Sequence, residues 1–253
     1  MFKEIISRLK NGYQTNRFPT EIPSMPKKFA GLPRIIRESC EEGCDICKNN
    51  CPVSCINGEK NNLSIDIGMC IFCRQCEKLC PSKAIIFSDD YKISADKRES
   101  LILNKDYYEA AEGLKGEILK IFGRSLQLRQ VSAGGCNACE ADVNVLNTLA
   151  WDLGRFGIQI VASPRHADGL LVTGPVTNNM KLAIKKTYAA VADPKIVIAV
   201  GTCAISGGLF KGMETAGGVD SIVKVDLYIP GCPPHPLTIL DGLLRFTGKI
   251  RKS

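Results

Sequence analysis

Thirteen cysteines stand in this 253-residue sequence, and their spacing carries nearly all of its readable chemistry. Eight fall in two runs between Cys40 and Pro81. The second run is C-x2-C-x2-C-x3-C-P, formed by Cys70, Cys73, Cys76 and Cys80; the first, Cys40, Cys44, Cys47 and Cys51, has one extra residue between its first two cysteines. Three thiolates in one tight loop reach three corners of an iron–sulfur cubane. The fourth corner needs a residue from elsewhere, and the following proline turns the chain away, which is the spacing that serves a [4Fe–4S] cluster. A pair of zinc sites would also take four thiolates each, although zinc knuckles rarely repeat this spacing. Cys136, Cys139, Cys203 and Cys232 make four more, enough for a third cluster, and Cys55 is left over.

An odd number of cysteines clustered at short spacing argues against a disulfide framework and for metal binding in a reducing compartment. The formal net charge is +7, with basic residues spread along the chain. That distribution suits a docking surface for acidic partners and excludes the basic tract of a nucleic-acid binder. No apolar stretch approaches the roughly 20 residues that cross a bilayer, and the amino terminus shows no signal-peptide core or twin-arginine motif. The expected place is the cytoplasm, against a membrane protein.

The elements that must position the cysteines fall into four stretches. Residues 1–38 open with an amphipathic helix, Phe2, Ile5, Ile6 and Leu9 sharing one face. A segment with Pro19, Pro23, Pro26 and Pro33 follows, which cannot be helical and reads as an extended arm lying on another subunit. Residues 39–95 hold both cysteine runs with short strands at 63–67 and 84–87, two similar halves of a pseudo-twofold βαβ unit. Residues 96–124 read as a linker, helical over 106–121. From 125 to 253 apolar strands (126–132, 158–162, 169–173, 196–201, 227–230) alternate with helices (138–153, 178–191, 235–245). This pattern predicts an α/β domain with a doubly wound parallel sheet covered on both faces. Sites in such sheets form at the carboxyl ends of the strands. Cys136 and Cys139, Cys203, and Cys232 each follow a predicted strand, so topology brings the third set together.

The double cysteine run resembles the bacterial-type ferredoxins with two [4Fe–4S] clusters. That resemblance implies one cluster on Cys44, Cys47, Cys80 and Cys40, with Cys55 close enough in sequence to stand in for Cys40. It implies the other on Cys51, Cys70, Cys73 and Cys76. Further on, SAGGCNACE (132–140), SPRHADGLLVTGPVT (163–177), GTCAISGG (201–208) and YIPGCPPHP (228–236) resemble the small subunit of membrane-bound [NiFe] hydrogenases of the formate hydrogenlyase type, related to the 20-kDa subunit of complex I. Ala138, where a glycine is usual, and Ala141-Asp142 depart from that pattern. The amino-terminal part resembles the separate ferredoxin subunit of the same complexes, so the chain looks like a fusion of two subunits. The implied fold of the carboxyl-terminal domain is flavodoxin-like.

The resemblance implies a proximal [4Fe–4S] cluster on Cys136, Cys139, Cys203 and Cys232, making three clusters in all. The implied work is one-electron transfer between a ferredoxin or formate dehydrogenase-type donor and a [NiFe] centre on a large subunit, with H2 evolved or taken up. Membrane-arm subunits would anchor the complex, leaving this chain peripheral on the cytoplasmic face. Complex I relatives carry two adjacent cysteines where this chain has Cys136-Asn-Ala-Cys139, so the spacing matches the hydrogenase branch. The same relay serving a nickel-free or complex I-like oxidoreductase is the alternative, and a zinc-binding scaffold the remote one. Glu140 beside a ligand is either a proton-relay carboxylate or a charge that favours a helix amino terminus. His166 and His235 are each read as a family-type functional residue or as a capping or packing histidine.

Overall fold

The computed structural model describes residues 2–104, 122 and 125–250. Helix α1 (Phe2–Asn11) leads to strand β1 (Pro33–Ile35). The first cysteine run holds a one-turn helix α2 (Ile46–Asn49) before β2 (Ile56–Asn57) and β3 (Ser64–Asp66); the second holds α3 (Gln75–Leu79) before β4 (Ile85–Phe87). The two halves thus repeat a run, a helical turn and a strand. Their ladders are antiparallel: β1 pairs with β4, while β3 lies between β2 and β5 (Ile102–Leu103). Residues 99–103, expected as the start of a linker, form a 3₁₀ turn and join this sheet. The helix expected over 106–121 lies outside the described residues.

The remainder is a five-stranded parallel sheet, β6 (Leu126–Ser132), β7 (Ile158–Ile160), β8 (Gly169–Thr173), β9 (Ile196–Val200) and β10 (Leu227–Ile229), in the order β10-β9-β8-β6-β7. This is the flavodoxin-like order, and the chain reverses direction across the sheet between β6 and β8. Every residue of β8 and β9 is buried. Their side chains alternate between two cores: Leu170, Val172, Val197 and Ala199 face one, Leu171, Ile196, Ile198 and Val200 the other. Covering both faces is what continuous apolar strands require. Helices α4 (Ala138–Val145), α5 (Asn178–Ala190), α6 (Thr202–Ser206) and α7 (Pro236–Phe246) connect and cover the strands. The helix expected over 138–153 stops at Val145. Beyond it the backbone bonds tighten to three-residue turns, Leu146 N–H to Val143, Asn147 N–H to Asn144 and Thr148 N–H to Val145, and the Thr148 hydroxyl also donates to the Val145 carbonyl at 2.7 Å.

The two halves share a core. Ile65, Ile67, Ile93, Ala95 and Leu101 belong to the same buried cluster as Ala204, Ile205 and Tyr228. Backbone bonds in both directions link Ala95 with Tyr228. The proline-rich arm, expected to lie on another subunit, packs against this chain over part of its length. Phe18 is buried against Tyr91, and Arg155 donates to the Asn16 and Phe18 carbonyls at 2.8 and 2.9 Å. Leu32 exchanges backbone bonds with Asp90 and Ser88. Helix α1 has no buried residue. No helix among the described residues is long and apolar enough to cross a membrane.

Helix α7 is buried along its length, and an ion pair joins Arg245 Nε to Asp241 Oδ2 at 2.8 Å inside it. Removing one partner of a buried pair strands the other charge. Asp241→Ala is therefore expected to destabilise the fold by about 3–5 kcal/mol. Glu21→Ala, which breaks the exposed Arg17–Glu21 pair, is expected to cost at most about 1 kcal/mol. Urea unfolding of the two variants checks the contrast.

Candidate metal centres

The two cysteine runs close around separate small cavities. One is lined by Cys40, Cys44, Cys47 and Cys80. The other is lined by Cys51, Cys70, Cys73 and Cys76, and also by Cys55. The last cysteine of each run has crossed to the other run's cavity, so the sulfurs are grouped as the sequence led one to expect. Cys55 falls on the second cavity, not beside Cys40. Left-handed residues curl each loop so that backbone N–H groups turn inward: Phe72 and Arg74 at φ 55° and 59°, Ser54 and Lys83 at φ 50° and 53°. The N–H of Phe72 donates to Cys70 Sγ at 3.3 Å, that of Cys55 to Cys51 Sγ at 3.4 Å and that of Ala84 to Cys80 Sγ at 3.2 Å. Donors aimed at sulfur stabilise the anionic thiolate that binds iron.

These donor sets fit a cubane. Its four irons are spread over a volume, so its ligands must surround a cavity, whereas a zinc ion draws four sulfurs to within about 2.3 Å of one point. Among the described residues, no three His, Cys, Asp or Glu side chains converge as a single-ion site. The thiols also repel one another as charges. Burial first, then the neighbouring sulfurs, raises Cys40 and Cys47 and pushes Cys76 up to about 12. Metal binding must therefore displace protons here. Cys51 is drawn down to about 5 chiefly by its hydrogen bond with the Cys55 thiol. Cys70 is also lowered, and at Cys80 burial is outweighed by hydrogen bonds from Ser82 and backbone N–H groups, which lower it.

The third set gathers at the carboxyl edge of the parallel sheet. Cys136 and Cys139 follow β6, Cys203 sits in α6 directly after β9, and Cys232 follows β10. Burial raises Cys203 to about 11, assisted by repulsion from Cys232, Cys136 and Glu140. Burial and the same kind of neighbours raise Cys139. Glu140 is buried, and its Oε1 accepts from Ser132 Oγ at 2.6 Å and Thr173 Oγ1 at 2.7 Å. Those hydroxyls end β6 and β8, so the carboxylate ties the two strands between which the sheet reverses direction. His235 packs edge-on against Phe29 and Trp151, and its Nδ1 accepts from the Leu237 N–H at 3.1 Å, capping α7. Burial lowers its pKa. His166 lies exposed in a 3₁₀ turn.

Sequence reasoning missed Thr202 and Ser206, which flank Cys203 on α6. Thr202 Oγ1 lies 2.7 Å from the Cys70 carbonyl and 3.1 Å from that of Gly231, beside Cys232. Ser206 Oγ lies 3.1 Å from the Gly68 carbonyl. One short helix thus clasps the second cysteine loop to the third. After burial and Cys136, the charge of Cys70 is a further cause of the raised Cys232 pKa, which puts the two sulfurs within electrostatic reach. Two hydroxyl residues four apart around a cysteine were the available signal.

Gly201 is required at the start of α6. Its φ is +89°, and a Cβ there would lie 2.5 Å from Cys139 Sγ. Gly201→Ala is expected to displace that sulfur and lower iron bound per chain, leaving the cavities of the two cysteine runs loaded. Iron analysis of anaerobically purified protein measures the loss; unchanged iron would show that the sulfur tolerates the shift.

The chain matches the NADH ubiquinone oxidoreductase 20 Kd subunit family over residues 136–246 and the 4Fe-4S binding domain family over residues 63–86. It is 43% identical to the probable membrane-bound hydrogenase subunit mbhJ of Pyrococcus furiosus, over 54% of this chain and 82% of that protein. It is 42% identical to formate hydrogenlyase subunit 7 of Escherichia coli, over 57% of each. Identity to an NADH-quinone oxidoreductase subunit of Bacteroides fragilis is 43%, over 51% of this chain and 67% of the relative. With the third cysteine set on a flavodoxin-like sheet and a 4Fe-4S binding domain before it, the chain belongs to the NADH ubiquinone oxidoreductase 20 Kd subunit family, as a subunit of an oxidoreductase.

Proposed function

We propose that this chain is the electron-relay subunit of a membrane-associated [NiFe] hydrogenase complex. In this reading it holds three [4Fe–4S] clusters: on Cys40, Cys44, Cys47 and Cys80; on Cys51, Cys70, Cys73 and Cys76; and on Cys136, Cys139, Cys203 and Cys232. A cubane bound in such a site supplies reversible one-electron storage at a potential set by charge, hydrogen bonds to sulfur and exposure. The observation that carries the proposal is the Thr202 hydroxyl against the Cys70 carbonyl. It fixes the second cysteine loop against the helix bearing Cys203, as a relay between them requires.

The domain division belongs to the same proposal: a ferredoxin-like unit over 39–95 and a 20-kDa-type unit over 125–253, with a linker between. Electrons would enter from a ferredoxin or formate dehydrogenase-type partner at the first unit and leave toward a large subunit at the second, or run the opposite way. The exposure of Cys136 and Cys232 supports a partner covering that face. The similar identities to hydrogenase and quinone-reductase relatives do not separate the branches. The Cys136-Asn-Ala-Cys139 spacing favours hydrogenase, with a nickel-free or complex I-like oxidoreductase as the second reading. A proton relay through Glu140 is part of the proposal, at the point where its carboxylate braces β6 and β8. Peripheral attachment to the cytoplasmic face would come through membrane-arm subunits, with α1 offering Phe2, Ile5, Ile6 and Leu9, all exposed, to a partner subunit.

Cys203→Ala is expected to lower iron from about twelve to about eight per chain, because each cubane carries four. Iron still near twelve sinks the third site. Deleting residues 2–11 is expected to leave iron unchanged while partner subunits no longer co-purify; full co-purification would show that α1 takes no part in assembly. Nickel in the purified complex supports the hydrogenase reading, and its absence from an active complex selects the second.

A further inference from the structure

The two halves of the ferredoxin-like unit repeat each other closely after their last cysteines, C-P-V-S-C-I at 51–56 and C-P-S-K-A-I at 80–85. The repeat extends to the backbone. Ser54 and Lys83 share a left-handed conformation, and the N–H four residues after each cysteine donates to that cysteine's sulfur. Three side chains differ between them: Val53 for Ser82, Ser54 for Lys83 and, the one buried pair, Cys55 for Ala84. Both are buried, at 2% and 1% exposure, so the difference is chemical rather than one of access. Cys55 Sγ lies 3.5 Å from Cys51 Sγ. The cavity of Cys40, Cys44, Cys47 and Cys80 has no such extra thiol; its nearest counterpart is the Ser82 hydroxyl, 3.7 Å from Cys80 Sγ.

We propose that Cys55 is a potential-setting residue: its S–H donates to the sulfur of Cys51 and raises the reduction potential of the cluster that sulfur helps to hold. The proposal rests on the [4Fe–4S] reading of the second cavity. An iron-bound thiolate has no proton, so in the pair Cys51–Cys55 only Cys55 can donate. Reduction adds negative charge to a cluster and its sulfurs, and a donor strengthens as its acceptor becomes more negative, so the reduced state gains more. The cluster so favoured is the one next to Thr202 and α6. The Cys55 bond biases an electron shared between the twin sites toward the one beside the third cysteine set.

The test uses the full chain, purified anaerobically, with Cys55→Ala and Cys55→Ser. Alanine copies the other half of the repeat, and serine keeps a donor. Iron content and potentiometric EPR titration are read on each. Cys55→Ala is expected to retain all its iron and to show one cluster's reduction equilibrium weakened roughly threefold to tenfold, tenfold being 59 mV for one electron. Cys55→Ser is expected to recover part of the shift. Full iron with unchanged potentials in Cys55→Ala overturns the proposal and leaves the cluster reading intact. Loss of four irons in both variants makes Cys55 a ligand, which overturns the proposal and the ligand set together.

Discussion

A threonine hydroxyl at the head of a five-residue helix sets the geometry on which the rest of this molecule depends. Thr202 reaches the carbonyls of Cys70 and Gly231, so a single side chain touches the loops of two cysteine sets while its neighbour, Cys203, contributes to one of them. A buried hydrogen bond of this kind is worth only about 1 kcal/mol net. Its importance is positional. The shared core of Ile65, Ile67, Ala204 and Tyr228 supplies the cohesion, but apolar contact is not directional and would tolerate sliding. The hydroxyl contacts of Thr202 and Ser206, with the Ala95–Tyr228 backbone bonds, remove that freedom.

The cysteine chemistry and the carboxyl-terminal sheet were legible because each rests on local pattern. Thiolate spacing reports how a loop can wrap, and an unbroken apolar run such as Ile196–Val200 reports a strand buried on both faces. The order of the strands then followed from a small menu of parallel topologies. Three features were not legible. The arm looked like a tether to another subunit because proline excludes helix without saying what the extended chain lies on; its anchor, Arg155, is far away in sequence. Helix α4 ends early as its backbone bonds tighten into three-residue turns after Val143, a local change that periodicity does not see. Thr202 and Ser206 were missed because their partners are backbone carbonyls, which carry no sequence signature.

The third cysteine set shows how a sheet edge concentrates chemistry. Strand order alone gathers residues from 136 to 232, and the site then depends on small details of backbone. Gly201 makes room for the Cys139 sulfur, and Glu140 braces β6 against β8. The carboxylate raises the pKa of neighbouring thiols, so the brace opposes thiolate formation. A bound cation reverses that sign, since the positive charge of iron attracts what the bare thiols repel. The arrangement is electrostatically frustrated as thiols alone and reconciled by metal.

The path of the arm bears on the order in which the molecule can be made. Residues 16–18 are clamped by Arg155, and the neighbouring stretch covers α7, which closes at Phe246. During synthesis residues 16–18 leave the ribosome long before Arg155 and the last helix, so this part of the arm takes its native place only once the carboxyl-terminal half of the chain has been made.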